Sequence, residues 1–146
     1  MWYSAYGEGW ALYAESLGKE LGLFTDPYQY FGMLGAEIHR AVRLVVDTGL
    51  HAKGWTREQA IQYSLDNEAE SEAAIESEIE RYMANPGQAL SYKIGQLKIR
   101  ELRNKATQAL GDQFDVRVFH QKVLESGCLP LAFLEDKIDH WIHDHK

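Results

Sequence analysis

Cysteine is almost absent from this chain. Cys128 is the only one in 146 residues, so no internal disulfide can form and no redox compartment follows from cysteine usage. With no activating cationic neighbour evident in the sequence, its thiol reads as an idle or buried group rather than a nucleophile. No apolar run approaches the ~20 residues that a membrane span requires. Met1 is followed directly by Trp2 and Tyr3, without a basic or apolar leader, so nothing in the chain targets or anchors it and its localisation stays open. An excess of positive charge is missing as well. The net charge is -7, and Asp66 to Glu80 alone carries seven acids with no Lys or Arg, leaving 15 acids against 15 bases elsewhere. Nucleic-acid binding through a basic stripe is therefore disfavoured. Repeats and low-complexity tracts are lacking too, and residues 1–146 read as a single helical domain or domain fragment.

What the chain does have is apolar mass at helical spacing. It is 45% hydrophobic, with four Trp, eight Tyr and five Phe, which suffices for a core. Apolar residues recur three and four apart and no period-two alternation persists, which predicts an all-α array of about six to seven helices. A first helix is expected from Glu8 to Leu21, stopped by Gly22. Thr25, Asp26 and Pro27 cap and open a second, which runs to about Thr48 with Phe31, Leu34, Ile38, Ala41 and Val45 on its core face and ends at Gly49. Thr56 with Gln59 forms a capping box for a third helix to about Leu65; whether Asn67 and Glu70 start another or the helix continues is undecided. The acidic run carries Ile75, Ile79 and Tyr82 as one core face with a solvated acidic face opposite. Pro86 and Gly87 break it. Helices follow over about Gln88–Leu110, over about Asp115–Ser126, and after Pro130, the last with Phe133, Leu134, Ile138, Trp141 and Ile142 on its apolar side.

Two stretches carry candidate chemistry: YGEGWALYAE at Tyr6–Glu15 and YMANPGQALSYKIG at Tyr82–Gly95. Glu8 and Glu15, seven residues apart, share one helix face, but their backbones are roughly 10 Å apart, so one small ion would not bind both directly. The plain reading is two exposed carboxylates. Gln88, Tyr92 and Gly95 line one face with an amide, a phenol and bare backbone, the parts of a peptide-binding wall; Tyr92 as an ordinary core tyrosine stands beside that reading. Lys93 projects about 100° away. Arg43 and Asp47 are spaced to pair along a helix and to steady a glycine-bounded loop carrying His51. His140, His143 and His145 sit at the chain's end, where weak adventitious metal binding needs no purpose. His39 and His120 read as packing or surface residues.

EGWALYAE, RLVVDTGLHAKGWTREQAIQY and RYMANPGQALSYKIGQ together resemble the C-terminal part of a bacterial helical family catalogued as domain of unknown function 885, itself similar to zinc metallopeptidases of the gluzincin type. The resemblance covers nearly the whole chain. It implies that Glu8 is the third metal ligand and Glu15 a group orienting a ligand histidine. It further implies Tyr92 as oxyanion donor and His51 in substrate or transition-state contact; the wall reading adds Gln88, Tyr82 and Lys93 as substrate contacts, with a plain surface Lys93 as the alternative, and Arg43 with Asp47 as support. No His-Glu-x-x-His occurs, nor the inverted motif, nor a Glu-x-x-His. The expectation is thus the C-terminal part of a gluzincin-like domain, lacking its upstream ligands and base, with zinc and a peptide-like substrate bound in the intact parent. This chain alone is expected to hold no metal tightly and to be inactive, and its partner is the upstream part of the same protein. The alternative is a non-catalytic interaction module that self-associates through a face left uncovered.

Overall fold

The computed structural model describes residues 2–145. Their regular structure is all helical: α1 (Ser4–Glu20), α2 (Pro27–Ala52), α3 (Arg57–Asn67), α4 (Glu72–Ala84), α5 (Ser91–Leu110), α6 (Val116–Leu124) and α7 (Leu131–Asp144), with a 3-10 turn at Gly111–Gln113. Local chemistry sets most of the ends. Asp26 accepts a hydrogen bond from the Tyr28 amide and forms a capping box with Gln29, ahead of Pro27 at the first helical position. Thr56 and Gln59 cap α3 reciprocally. Ser71, not Asn67, caps α4, because the Asn67 amide is turned back onto the Tyr63 carbonyl and ends α3 instead. Glycines with positive φ close α1 at Gly22 and α5 at Gly111.

The apolar residues divide between two clusters. One gathers Tyr6 and Tyr13 of α1 with Ile99 and Leu102 of α5, Phe119 of α6, and Leu134, Ile138 and Trp141 of α7. The other joins Val42 and Val46 of α2, Ala60 of α3, and Ile75, Ile79 and Tyr82 of α4. Burying each of the large members contributes on the order of 1.5–3 kcal/mol.

Between α1 and α5 the packing is closest. A Cβ on Gly95 would lie 1.7 Å from the Ala5 carbonyl oxygen, and one on Gly9 would lie 2.4 Å from the Gly95 backbone. Neither distance is compatible with a side chain, so both positions must be glycine for the helices to cross here. The bare backbone at Gly95 thus serves helix packing, and α1 begins at Ser4, ahead of the expected start at Glu8.

Three expectations need correction. The second helix runs to Ala52 rather than stopping at Gly49, whose missing side chain instead makes room for the Trp55 indole. Its apolar stripe of Phe31 (71% exposed), Leu34, Ile38 and Val45 faces outward, while Val42, Arg43, Val46 and Asp47 face the core. Periodicity finds a stripe but does not say which stripe has a partner, and all the buried residues of α2 lie in its C-terminal half. Phe133 of α7 is likewise exposed, although Leu134, Ile138, Trp141 and Ile142 are buried as expected.

Candidate functional site

Of the expected residues, Tyr82, Gln88 and Tyr92 gather around the Arg43 guanidinium. Helix α2 presents it from a buried position, where its Nε donates to the Tyr82 hydroxyl at 2.8 Å and its Nη2 to Glu78 at 2.8 Å. The Tyr82 hydroxyl in turn donates to Glu78 at 2.6 Å, and Arg81 grips the same carboxylate with two nitrogens. The Arg43 guanidinium also lies over the Tyr92 ring, 4.8 Å from its centroid. Gln88 connects the two sides: its carbonyl accepts from Arg81 at 2.9 Å and its amide reaches the Tyr92 hydroxyl at 3.4 Å. Arg43, Tyr82, Gln88 and Tyr92 therefore form one assembly held together by Glu78.

Electrostatics follow from that geometry. Hydrogen bonds from Arg81, then Tyr82 and Arg43, outweigh burial and hold the Glu78 carboxyl down to about 2. Burial, reinforced by donation to Glu78, pushes the Tyr82 phenol well above its usual range. Tyr82 is thus a neutral scaffold whose proton is committed to Glu78. Tyr92 differs: its hydroxyl oxygen accepts from Gln88, which leaves its own hydrogen available to donate.

Asp47 does not pair with Arg43. Both of its oxygens accept from the Gly87 amide at 3.1 Å, tying α2 to the turn that leads into α5. His51 stands in the last turn of α2, not in a loop, and its Nε2 meets the Tyr82 carbonyl at 3.0 Å. Lys93 is bound to Glu37 and donates to Gln96 at 2.9 Å. Hydrogen bonds to Glu37 from Lys93 and from the Gln96 amide outweigh burial and hold its carboxyl below its ordinary value.

Glu8 lies in the second turn of α1, half-buried, next to the Gly9–Gly95 crossing. Glu20, Glu37 and Glu78 are each held by a cation, whereas Glu8 has no cationic partner among the described residues. Glu15 is exposed. Among the described residues no three His, Cys, Asp or Glu side chains converge to hold a metal ion, so Glu8 is at most one donor of a larger set.

Sequence reasoning missed Glu78, Arg81, His39 and Glu68. Glu78 with Arg81 and Tyr82 was legible, since residues three and four apart share a helix face. His39 was not: it binds Glu68 and lies 3.7 Å from Glu78, contacts that need α2 and α4 already packed.

A family model described as "Bacterial protein of unknown function (DUF885)" matches residues 1–138. Among solved structures, a protein described as "the putative lipoprotein from Colwellia psychrerythraea" is 54% identical, with a TM-score of 0.94 over 97% of this chain and 24% of its own. The chain thus spans about a quarter of that protein's length. No curated protein matches.

Proposed function

The chain belongs to the DUF885 family of bacterial proteins of unknown function, and from that premise we propose that it is the C-terminal portion of a zinc-dependent, peptidase-like hydrolase acting on peptide or related amide bonds. One observation carries this reading: Glu8, half-buried and without a cation to neutralise it, sits where α1 crosses the helix that bears Tyr92. No cation among the described residues serves this carboxylate, and a metal held with two upstream histidines would. The donors of this chain do not complete a zinc site by themselves, so no step is assigned to the metal here. The chain's own contribution is to the substrate. Tyr92, braced by Arg43 on its ring and by Gln88 at its oxygen, offers an O–H to a developing oxyanion. The Colwellia psychrerythraea protein is described as a "putative lipoprotein", which supports export of a longer protein that includes this chain and does not bear on its chemistry.

The longer protein provides the test. An in-frame His-Glu-x-x-His encoded upstream, zinc bound at one per chain, and loss of that zinc in Glu8→Gln are expected. Absence of the upstream motif, or full zinc retention in the variant, overturns the reading. A second reading, a non-catalytic interaction module, is favoured by the outward stripe of Phe31, Leu34 and Ile38. Peptide hydrolysis by the longer protein that is lost with Tyr92→Phe decides against it.

A further inference from the structure

Helices α1 and α5 also enclose a cleft of about 440 Å³, lined by Tyr13, Ser16, Lys19, Glu20, Arg100 and Arg103, among others. Its charge is opposite to that of the whole chain: three cations face one carboxylate, in a protein whose net charge is -7. That carboxylate is already committed, because Glu20 takes both Nη groups of Arg103 at 2.8 and 2.7 Å. Lys19 rests on neutral partners, the Tyr30 hydroxyl at 3.2 Å and the Tyr30 ring, which leave its charge uncompensated. Arg100 has no hydrogen-bond acceptor among the described residues. The two carboxylates whose charge it feels, Glu20 and Glu37, are held by Arg103 and by Lys93 with Gln96. In the adjoining groove Glu101 is paired with Lys98. Burial and Arg103 both lower the pKa of the nearby His120, which disfavours a further positive charge on its ring.

From these observations we infer that the α1–α5 cleft is a binding site for a small dicarboxylate, with Arg100 and Lys19 as its two anchors. Guanidinium groups match carboxylates in planar, two-pronged geometry, as Arg103 already does with Glu20. Two lining cations without a carboxylate partner, Lys19 from α1 and Arg100 from α5, suit a ligand with two anionic ends, and the volume fits a small molecule rather than a single ion. The same carboxylate chemistry could be supplied by acidic side chains of the longer protein, and the two sources are separable. This inference does not rest on the peptidase reading.

Succinate and glutarate, titrated into the 146-residue chain at constant ionic strength and followed by calorimetry and amide chemical shifts, test it. Saturable binding is expected, with shifts at Lys19, Arg100 and Asn104. Arg100→Gln and Lys19→Gln should each weaken it on the order of tenfold, the loss of one charge-assisted contact. Lys53→Gln, which removes an equal charge from the exposed C-cap of α2, should leave it unchanged. A longer protein that binds succinate assigns the site to a free ligand. One that does not, yet is destabilised by Arg100→Gln, assigns it to an internal carboxylate. Non-saturating shifts, equal weakening by Lys53→Gln, or tighter binding of inorganic phosphate than of either dicarboxylate overturns the inference.

Discussion

Replacing Glu78 by Gln should remove most of the chain's acid sensitivity above pH 2 that arises between α2 and α4. Its carboxyl is held at about 2 against an ordinary 4.5, chiefly by Arg81 and then by Tyr82 and Arg43. A group whose folded pKa is depressed contributes stability in full above its unfolded pKa and loses it as pH falls toward the folded value. The gap from 4.5 to about 2, at ~1.4 kcal/mol per pH unit, amounts to roughly 3 kcal/mol present at pH 7 and lost progressively between about pH 5 and pH 2. The side chain is 29% exposed, so solvent screening trims this only modestly. The variant also leaves Arg43, whose side chain is 9% exposed, without its carboxylate partner. Removing one member of a buried pair costs several kcal/mol, softened here because the Gln carbonyl still accepts hydrogen bonds. Urea unfolding of both proteins from pH 7 to pH 2.5 is the assay. The variant should be about 2–4 kcal/mol less stable at pH 7, and the difference should shrink steadily below pH 5. A constant difference across that range, or one under ~0.5 kcal/mol at pH 7, refutes the argument.

Three further outcomes follow from packing. Gly95→Ala, which drives a Cβ to 1.7 Å from the Ala5 carbonyl, should cost at least the 1–3 kcal/mol typical of overpacking in thermal denaturation, and a neutral result would mean that α1 does not cross α5 there. Asp47→Ala should cost about 1 kcal/mol by removing the carboxylate that holds the Gly87 amide, with that amide's hydrogen exchange accelerated well beyond its neighbours'. Phe31→Asp, at a residue 71% exposed, should change stability by less than ~0.5 kcal/mol but reduce any self-association seen by sedimentation. A loss above ~1 kcal/mol there would show the ring to be packed.

The helices were legible because their signals are local. Asp26–Pro27, Thr56–Gln59, Gly111 and Pro86–Gly87 act within a few residues, and the structure places element ends at each of them. Which face of α2 is buried was not legible, because both of its stripes satisfy a period of 3.6 and only tertiary contact selects one. Arg43 and Asp47 show the same limit at the site. Their spacing of four permits a pair on the helix worth a few tenths of a kcal/mol, and stronger partners on α4 and in the turn before α5 win. Where the partners sit on the same helix, as Arg81 and Tyr82 do for Glu78, the spacing of three and four held the information, yet reading the acidic run as a solvated face passed over it.

The placement of Glu8 depends on a backbone contact rather than on any feature of the glutamate. A helix advances 100° per residue, so sliding α1 by one position would carry its carboxylate to another face. Gly9 against Gly95 forbids the slide: only those two positions lack side chains where the helices touch, and every neighbouring register would force a Cβ into backbone. The Gln96 amide, donating across the interface to the Leu12 carbonyl at 3.3 Å, and the Ser4–Ser91 hydroxyl pair at 3.0 Å fix the same alignment from either side. Glu8 is therefore held by its neighbours in a half-buried position that its own side chain does nothing to stabilise. That fixed place beside the helix bearing Tyr92 is why the proposed metal role is given to Glu8 rather than to the exposed Glu15.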